Sequence, residues 1–245
     1  MEWTDRAIVL SLRPHGDSGA VAALLTESHG RHGGLLHGGP KSRAGFEPGT
    51  EVVARWRGRL PEHLGHVSLE SERNHAASLL DDRLRLSGLT ALCAVAEAAL
   101  PERQPLPGVH AATKALLELF DTPHWPAAYV QWELGLLGAL GYGLDLQKCA
   151  ATGANDQLAY VSPKTGRAVS LAAGEPYRDR LLPLPGFLIG LPGAGLADAA
   201  DGLALTGYFL EARIFAPQRR PLPPARVRLA EALRKAANTM VSLPA

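Results

Sequence analysis

The stretch Thr50-Glu51-Val52-Val53-Ala54-Arg55-Trp56-Arg57-Gly58-Arg59 reads as a β-strand with one face for a core and one for solvent. Alternate side chains of a strand share a face, so Arg55, Arg57 and Arg59 line up about 7 Å apart. That interval is close to the phosphate repeat of an extended single strand. Val52, Ala54 and Trp56 fall on the other face and can enter a core. About a dozen residues earlier lies a basic, glycine-rich loop, Gly38-Gly39-Pro40-Lys41-Ser42-Arg43. From Ser28 to Arg59 six cations (Arg31, Lys41, Arg43, Arg55, Arg57, Arg59) face two acids, Glu47 and Glu51, in a chain whose formal net charge is only +1. The basic charge is therefore local, and a phosphate-bearing ligand is expected there.

Working outward from this strand, four more short runs precede residue 75: Ile8 to Leu12, Ala20 to Glu27, Gly33 to His37 and Gly65 to Ser71. Ile8, Leu10 and Leu12 form the apolar face of the first. Five strands bounded by Gly, Pro and charged residues within some 70 residues fit a small closed or partly open barrel. After Asn74 the period becomes helical. Leu86, Leu89, Cys93, Ala96 and Leu100 mark one helix, capped by Asn74 or Ser78, with Asp81-Asp82 on its solvated face. Val109 to Phe120, Ala127 to Leu140, Gly202 to Phe215 and Pro224 to Met240 mark four more. Between the third and fourth, residues 141–192 are rich in Gly and Pro and enclose a strand-turn-strand, Leu158–Val161 and Arg167–Ser170 around Ser162-Pro163-Lys164-Thr165-Gly166. The fold class is α+β, with a barrel over residues 1–74 and a helical domain over 75–245 carrying an insertion at about 141–192.

The 245 residues, 46% of them hydrophobic, suffice for one large or two ordinary domains. Two cysteines, Cys93 and Cys149, give no disulfide framework and point to a reducing compartment. The amino terminus lacks a signal-peptide layout and no run is long enough to span a bilayer, so a soluble, cytoplasmic protein without membrane contact is expected.

Enzyme motifs fail on their own chemistry. Gly34 to Ser42 comes near a phosphate-binding P-loop, but Pro40 stands between Gly39 and Lys41 and removes a backbone donor, and no helix start follows. Seven of the nine histidines precede residue 76 without acids or cysteines at ligand spacing, and are expected on the surface or in loops. No nucleophile elbow or metalloprotease helix is present, so no catalytic residues are assigned. Cys149-Ala150-Ala151-Thr152-Gly153 has the shape of half a zinc knuckle with Thr152 in place of the second sulfur, and Val169 to Ala173 supplies no cysteine. A hydroxyl is no substitute for a thiolate in a closed zinc site, so no zinc and no other cofactor is expected.

The opening "AIVLSLRPHGDSGAVAALLTESHGRHGGLLHGGPKSR" and the later "GYGLDLQKCAATG", "LAYVSPKTGRAVS" and "RPLPPARVRL", in this order, resemble the DNA repair protein RecO family, the bacterial recombination mediators, over essentially the whole chain. The resemblance implies an amino-terminal OB-fold, a five-stranded barrel, followed by a helical domain with a zinc-knuckle-like insertion. It implies binding of single- and double-stranded DNA at the nucleoid, annealing of complementary strands, partnership with RecR, and help to RecA against single-strand-binding protein. Lys41, Ser42 and Arg43 fall on the family's DNA-facing loop, Arg13 on the end of its first strand, and Arg55, Arg57 and Arg59 loosely on its basic strand; Arg31 joins them by charge. Cys149 stands on the first of the family's four zinc positions, Thr152 on the second and Ser170 near the third. The carboxy-terminal tail of single-strand-binding protein is an expected partner of the helical half, where Arg213, Arg219 and Arg220 accompany Phe209, Ile214 and Phe215, residues that either form a pocket or belong to the core. The alternative is an OB-type module for RNA or for protein recruitment alone, since one such fold hosts many ligands.

Overall fold

The computed structural model describes residues 1–16, 19–38, 44–60 and 63–241. It contains two compact units, Met1–Asp121 and Thr122–Ala245. The expected boundary at residue 74 is where strands give way to helices, but the compact unit runs on to Asp121, because the first helices cover the barrel.

All five expected strands form: β1 (Glu2–His15), β2 (Gly19–Thr26), β3 (Arg31–His37), β4 (Thr50–Arg57) and β5 (His66–Asn74). They close in the order β1-β2-β3-β5-β4, antiparallel except where β3 meets β5. Closure depends on the length of β1. Its first half, Glu2–Ile8, pairs with β4, and its second half, Ala7–His15, pairs with β2. The interior holds Ala7, Val9, Ala22, Leu24, Leu36, Val52, Ala54, Trp56 and Val67.

The face assignment of β1 is corrected. Ala7 and Val9, expected on the mixed face, line the interior. A bulge between Val9 and Ser11 then reverses the alternation, which brings Leu12 inward. Ile8 and Leu10 are buried on the outside, where the helix Arg83–Ala99 packs on β1. A strand covered on both sides shows no clean alternation.

Asn74 does cap a helix, but only the single turn α1 (His75–Ser78), by accepting from Ala77 N at 3.2 Å. The long helix α2 (Arg83–Ala99) begins after Asp82, whose carboxylate accepts from the N–H groups of Leu84 and Arg85 at 3.0 and 3.1 Å. Asp82 is thus a cap, not part of a solvated helix face. The helix α3 (Pro107–Leu119) completes this unit.

In the second unit α4 (Trp125–Ala139) packs on α6 (Leu196–Phe209), which packs on α7 (Pro224–Val241). Their shared interior contains an ion pair: Arg226 Nε donates to Glu133 Oε1 at 2.6 Å and its Nη2 to Leu203 O at 2.7 Å, all but sealed from solvent. The expected hairpin is present as β6 (Leu158–Val161) and β7 (Ala168–Ser170), followed by the one-turn α5 (Leu171–Gly174) and joined by an unforeseen strand β8 (Leu182–Pro183). Helix α6 starts six residues earlier than expected. Gly195 N donates to the Asp198 carboxylate at 2.9 Å there, and residues 210–215 continue as a wider π turn. Among the described residues no helix is long and apolar enough to cross a membrane.

Candidate nucleic-acid interface

The strand β4 has the two faces its sequence implies. Trp56 is buried in the barrel, while Arg55 and Arg57 are exposed on the outer surface. Strand register fixes their neighbours. Arg57 stands between Glu2 on β1 and His66 on β5; Arg55 stands between Thr4 and Ser68. Two adjoining surface clefts share Glu2, Arg57 and His66. One continues to Arg59 and His63 in the β4–β5 loop, the other to His37, Phe46 and Arg55.

Trp56 shapes this region from beneath. Its Nε1 donates to Leu64 O at 2.9 Å, so the loop after β4 is drawn over the indole. Only glycine permits such an approach: a Cβ on Gly58 or Gly65 would come within 2.4 and 2.5 Å of the ring. Arg103 Nη2 donates to His63 O at 3.2 Å from the other side of the loop. The basic rung is therefore carried by a held surface.

Beside Trp56 lies an aromatic pile. Trp3 stacks on Trp56 with centroids 5.8 Å apart and on His29 at 4.4 Å, and His32 meets both indoles edge-on. His29 Nδ1 is 2.9 Å from Asp5 Oδ2. The expectation of surface histidines fails for His32 and His75, both buried. Desolvation pushes the His32 pKa down, and His75 Nε2 lies 2.7 Å from Glu51 Oε1. Lys114 Nζ approaches the other oxygen of Glu51, also at 2.7 Å. Burial opposes ionisation of Glu51, but the hydrogen bonds to Lys114 and His75 outweigh it and hold the carboxyl below its ordinary range.

The eight expected contact residues are not all brought together. Arg13 is paired with Glu97 of α2, though its own side chain is largely exposed. Arg31 donates from Nε to Leu100 O at 2.8 Å and from Nη1 to Glu102 at 3.2 Å, which ties β3 to the end of α2. Lys41, Ser42 and Arg43 lie outside the described residues. Arg55, Arg57 and Arg59 gather at the clefts, and Arg59 stands beyond the end of β4 in the loop. Among the described residues Arg55 and Arg59 have no acidic partner. Arg57 is forked onto Glu2 Oε2, from Nη2 at 2.9 Å and Nε at 3.2 Å. Both groups are well exposed, and such a pair exchanges readily with solvent ions.

The sequence reading assigned none of His37, His63 and His66 to a nucleic-acid face. His37 Nε2 and His66 Nδ1 are 2.8 Å apart and the rings stack, with centroids 4.8 Å apart. The parallel pairing of β3 with β5 places them side by side, and no spacing within either strand announces it.

In the second unit the fold gathers the three expected knuckle positions. Ser170 N donates to Cys149 Sγ at 3.3 Å, and Ser170 Oγ lies 3.4 Å from the sulfur. Burial opposes ionisation of the thiol, yet hydrogen bonds from the hydroxyls and backbone of Ser170 and Thr152 bring it down from 9.0 to about 6. The side chains of Ser170 and Thr152 both hydrogen-bond the sulfur. Among the described residues no group of three or more His, Cys, Asp or Glu is arranged to hold a metal ion.

Of the two readings of the apolar residues beside the basic cluster, the core one holds. Phe209, Ile214 and Phe215 are core residues, closed to solvent, so they form no open pocket beside Arg213, Arg219 and Arg220. Arg213 itself donates to Lys164 O in the hairpin turn at 3.0 Å.

Comparison with known proteins agrees with this architecture. Residues 1–71 match the family model described as Recombination protein O N terminal, and residues 80–222 match that for Recombination protein O C terminal. The DNA repair protein RecO of Rhodospirillum centenum is 55% identical over 249 residues, covering 100% of both chains. Those of Phenylobacterium zucineum and Caulobacter vibrioides are 53% and 51% identical, each over 96% of this chain and 99% of their own. With both halves matched in order and relatives this close along their full length, the chain belongs to the RecO family of DNA repair proteins.

Proposed function

We propose that this protein is a recombination mediator that binds single- and double-stranded DNA through the outer face of its barrel and anneals complementary strands. In this reading the barrel is an OB-fold, whose β4–β5 loop and neighbouring strands are a habitual ligand surface. The observation that carries it is the exposed rung of Arg55 and Arg57, continued by Arg59 and held from below by Trp56. Cations spaced about 7 Å apart neutralise successive phosphates and release their counterions, which gives affinity without base readout. Two strands neutralised on one protein repel each other less, so complementary bases pair with no bond broken by the protein. Arg13, Arg31, Lys41, Ser42 and Arg43 add further phosphate contacts in this reading. RecR, and through the mediator step RecA, are the partners of this activity. A helical-unit surface other than Phe209, Ile214 and Phe215 receives the tail of single-strand-binding protein. No zinc or other cofactor takes part, and no reaction is catalysed.

The test is annealing of two labelled complementary oligonucleotides, with and without coating by single-strand-binding protein, alongside competition between single-stranded DNA and RNA. Accelerated annealing, DNA bound at least as well as RNA, and loss of both in an Arg55→Ala/Arg57→Ala variant are expected. Equal binding without annealing would favour an RNA-binding or recruiting module.

A further inference from the structure

The His37–His66 pair has no task in the fold that its position explains. Both rings are exposed, and each has a second nitrogen with no partner among the described residues. His66 lines both basic clefts and is the cross-strand partner of Arg57, and His37 lines one of the two. A contact of 2.8 Å between two imidazole nitrogens requires one N–H donor and one lone pair. The neutral pair satisfies this. So does the pair with one added proton, because the new N–H forms on an outward nitrogen and the charge is shared. Only a second proton would set N–H against N–H and force the rings apart.

We propose that His37 and His66 together are a proton-responsive phosphate contact of the barrel face. The ligand is a backbone phosphodiester, and the idea rests on the nucleic-acid reading given above. Histidine is the side chain whose charge ordinarily changes between pH 5 and 8. With one added proton the pair carries a cation next to Arg57, and its outward N–H groups turn toward a phosphate that Arg55 and Arg57 flank. The groups facing the pair have mixed signs. From β1 come Glu2, already forked by Arg57, and the Met1 amino group, which donates to Gly58 O at 2.7 Å. From β4 come Arg55 and Arg57, and from the loop Arg59 and His63. Glu70 lies further along β5, and His15 lies across β2, where Gly19 pairs with both His15 and His37. A bound phosphate favours the added proton, so proton uptake and DNA binding are coupled.

The experiment is fluorescence anisotropy of a labelled oligothymidine with the full chain, at pH 6 and pH 8 and constant ionic strength. It is repeated over a salt series and with His37→Gln, His66→Gln, the double variant, His63→Gln and Arg55→Ala. Circular dichroism at both pH values checks that each variant is folded. The expected result is about five-fold tighter binding at pH 6, with a slope of log K against log salt steeper by about 0.7, one further phosphate neutralised. The double variant is expected to bring the ratio of the two affinities close to one, whereas Arg55→Ala weakens binding at both pH values and keeps the ratio. A flat ratio in the unsubstituted protein overturns the proposal, and so does a ratio kept by the double variant or abolished by His63→Gln alone. Binding with a flat ratio removes only this inference. Absence of binding at both pH values removes the nucleic-acid reading as well.

Discussion

The indole N–H of Trp56 donates to the carbonyl of Leu64 at 2.9 Å, linking the end of the basic strand to the loop that carries Arg59 and His63. One residue thereby serves both the core and the surface. Its ring fills the barrel end beneath Gly34, Gly58 and Gly65, and its polar edge sets the height of the loop over the outer surface.

Trp56→Phe keeps most of the apolar volume and deletes the hydrogen bond. The part-buried Leu64 carbonyl loses its donor, at a cost of about 0.5–1.5 kcal/mol. Trp56→Ala also opens a cavity, and about 3–5 kcal/mol is expected. Urea denaturation followed by circular dichroism measures both. Equal losses for the two variants would show that the hydrogen bond, not the filling of the barrel, is what the fold needs from Trp56.

DNA affinity is expected to be electrostatic. With about 4 to 6 phosphates neutralised, log K should fall with log salt at a slope of roughly −3 to −4 for a single strand. Arg55→Ala and Arg57→Ala should each flatten it by about 0.7, without changing sequence preference. Glu2→Gln frees Arg57 from its fork and should tighten binding at low salt. A slope near zero, or no response to the two arginine variants, would mean that this face is not the interface.

The alternation of Val52, Ala54 and Trp56 against Arg55 and Arg57 was legible because β4 has one covered face and one open one. The same argument failed for Ile8 and Leu10, since β1 is covered on both sides and a bulge at Leu10 reverses its parity. Strand count and helix periods survived such local exceptions, as did the start of α7 at Pro224; the starts of α2 and α6 did not. Asp82 and Gly195 act as caps through bonds to residues two or three ahead, which a hydrophobic period does not encode. For the site, charge was legible and proximity was not. Arg31 counts as a cation in sequence, yet the fold turns it onto Leu100 O and Glu102. His37 and His66 meet only because β3 runs parallel to β5, a pairing that closure of the barrel imposes.

Glu51 makes the barrel–helix junction sensitive to acid. Its carboxyl is held below its ordinary range by Lys114 and His75 against the cost of burial. A carboxyl with a depressed folded-state pKa contributes stability that is fully present above its unfolded value, near 4.3, and is lost as pH falls through the lower folded value. The melting temperature should therefore drop between about pH 5 and pH 3. Glu51→Gln should lower it at pH 7 and flatten that acid limb. An unchanged acid limb would place the sensitivity elsewhere.

Cys149 gives the opposite end of the pH scale and a test of whether a metal is held there. Its thiol is brought down to about 6 by the hydroxyls and backbone of Ser170 and Thr152, against the cost of burial. An unfolded thiol ionises near 8.5, and a depressed folded value means that the contribution is fully present above 8.5 and fades as pH falls toward 6. Stability of the second unit should accordingly rise from pH 6 to about pH 8.5, and Cys149→Ala should abolish that rise. Chelator should leave the melting temperature unchanged, because no metal free energy is coupled to folding. One zinc per chain by elemental analysis, with a chelator-sensitive melting temperature, would show that the hydroxyl-lined knuckle recruits further ligands and would overturn the zinc-free reading.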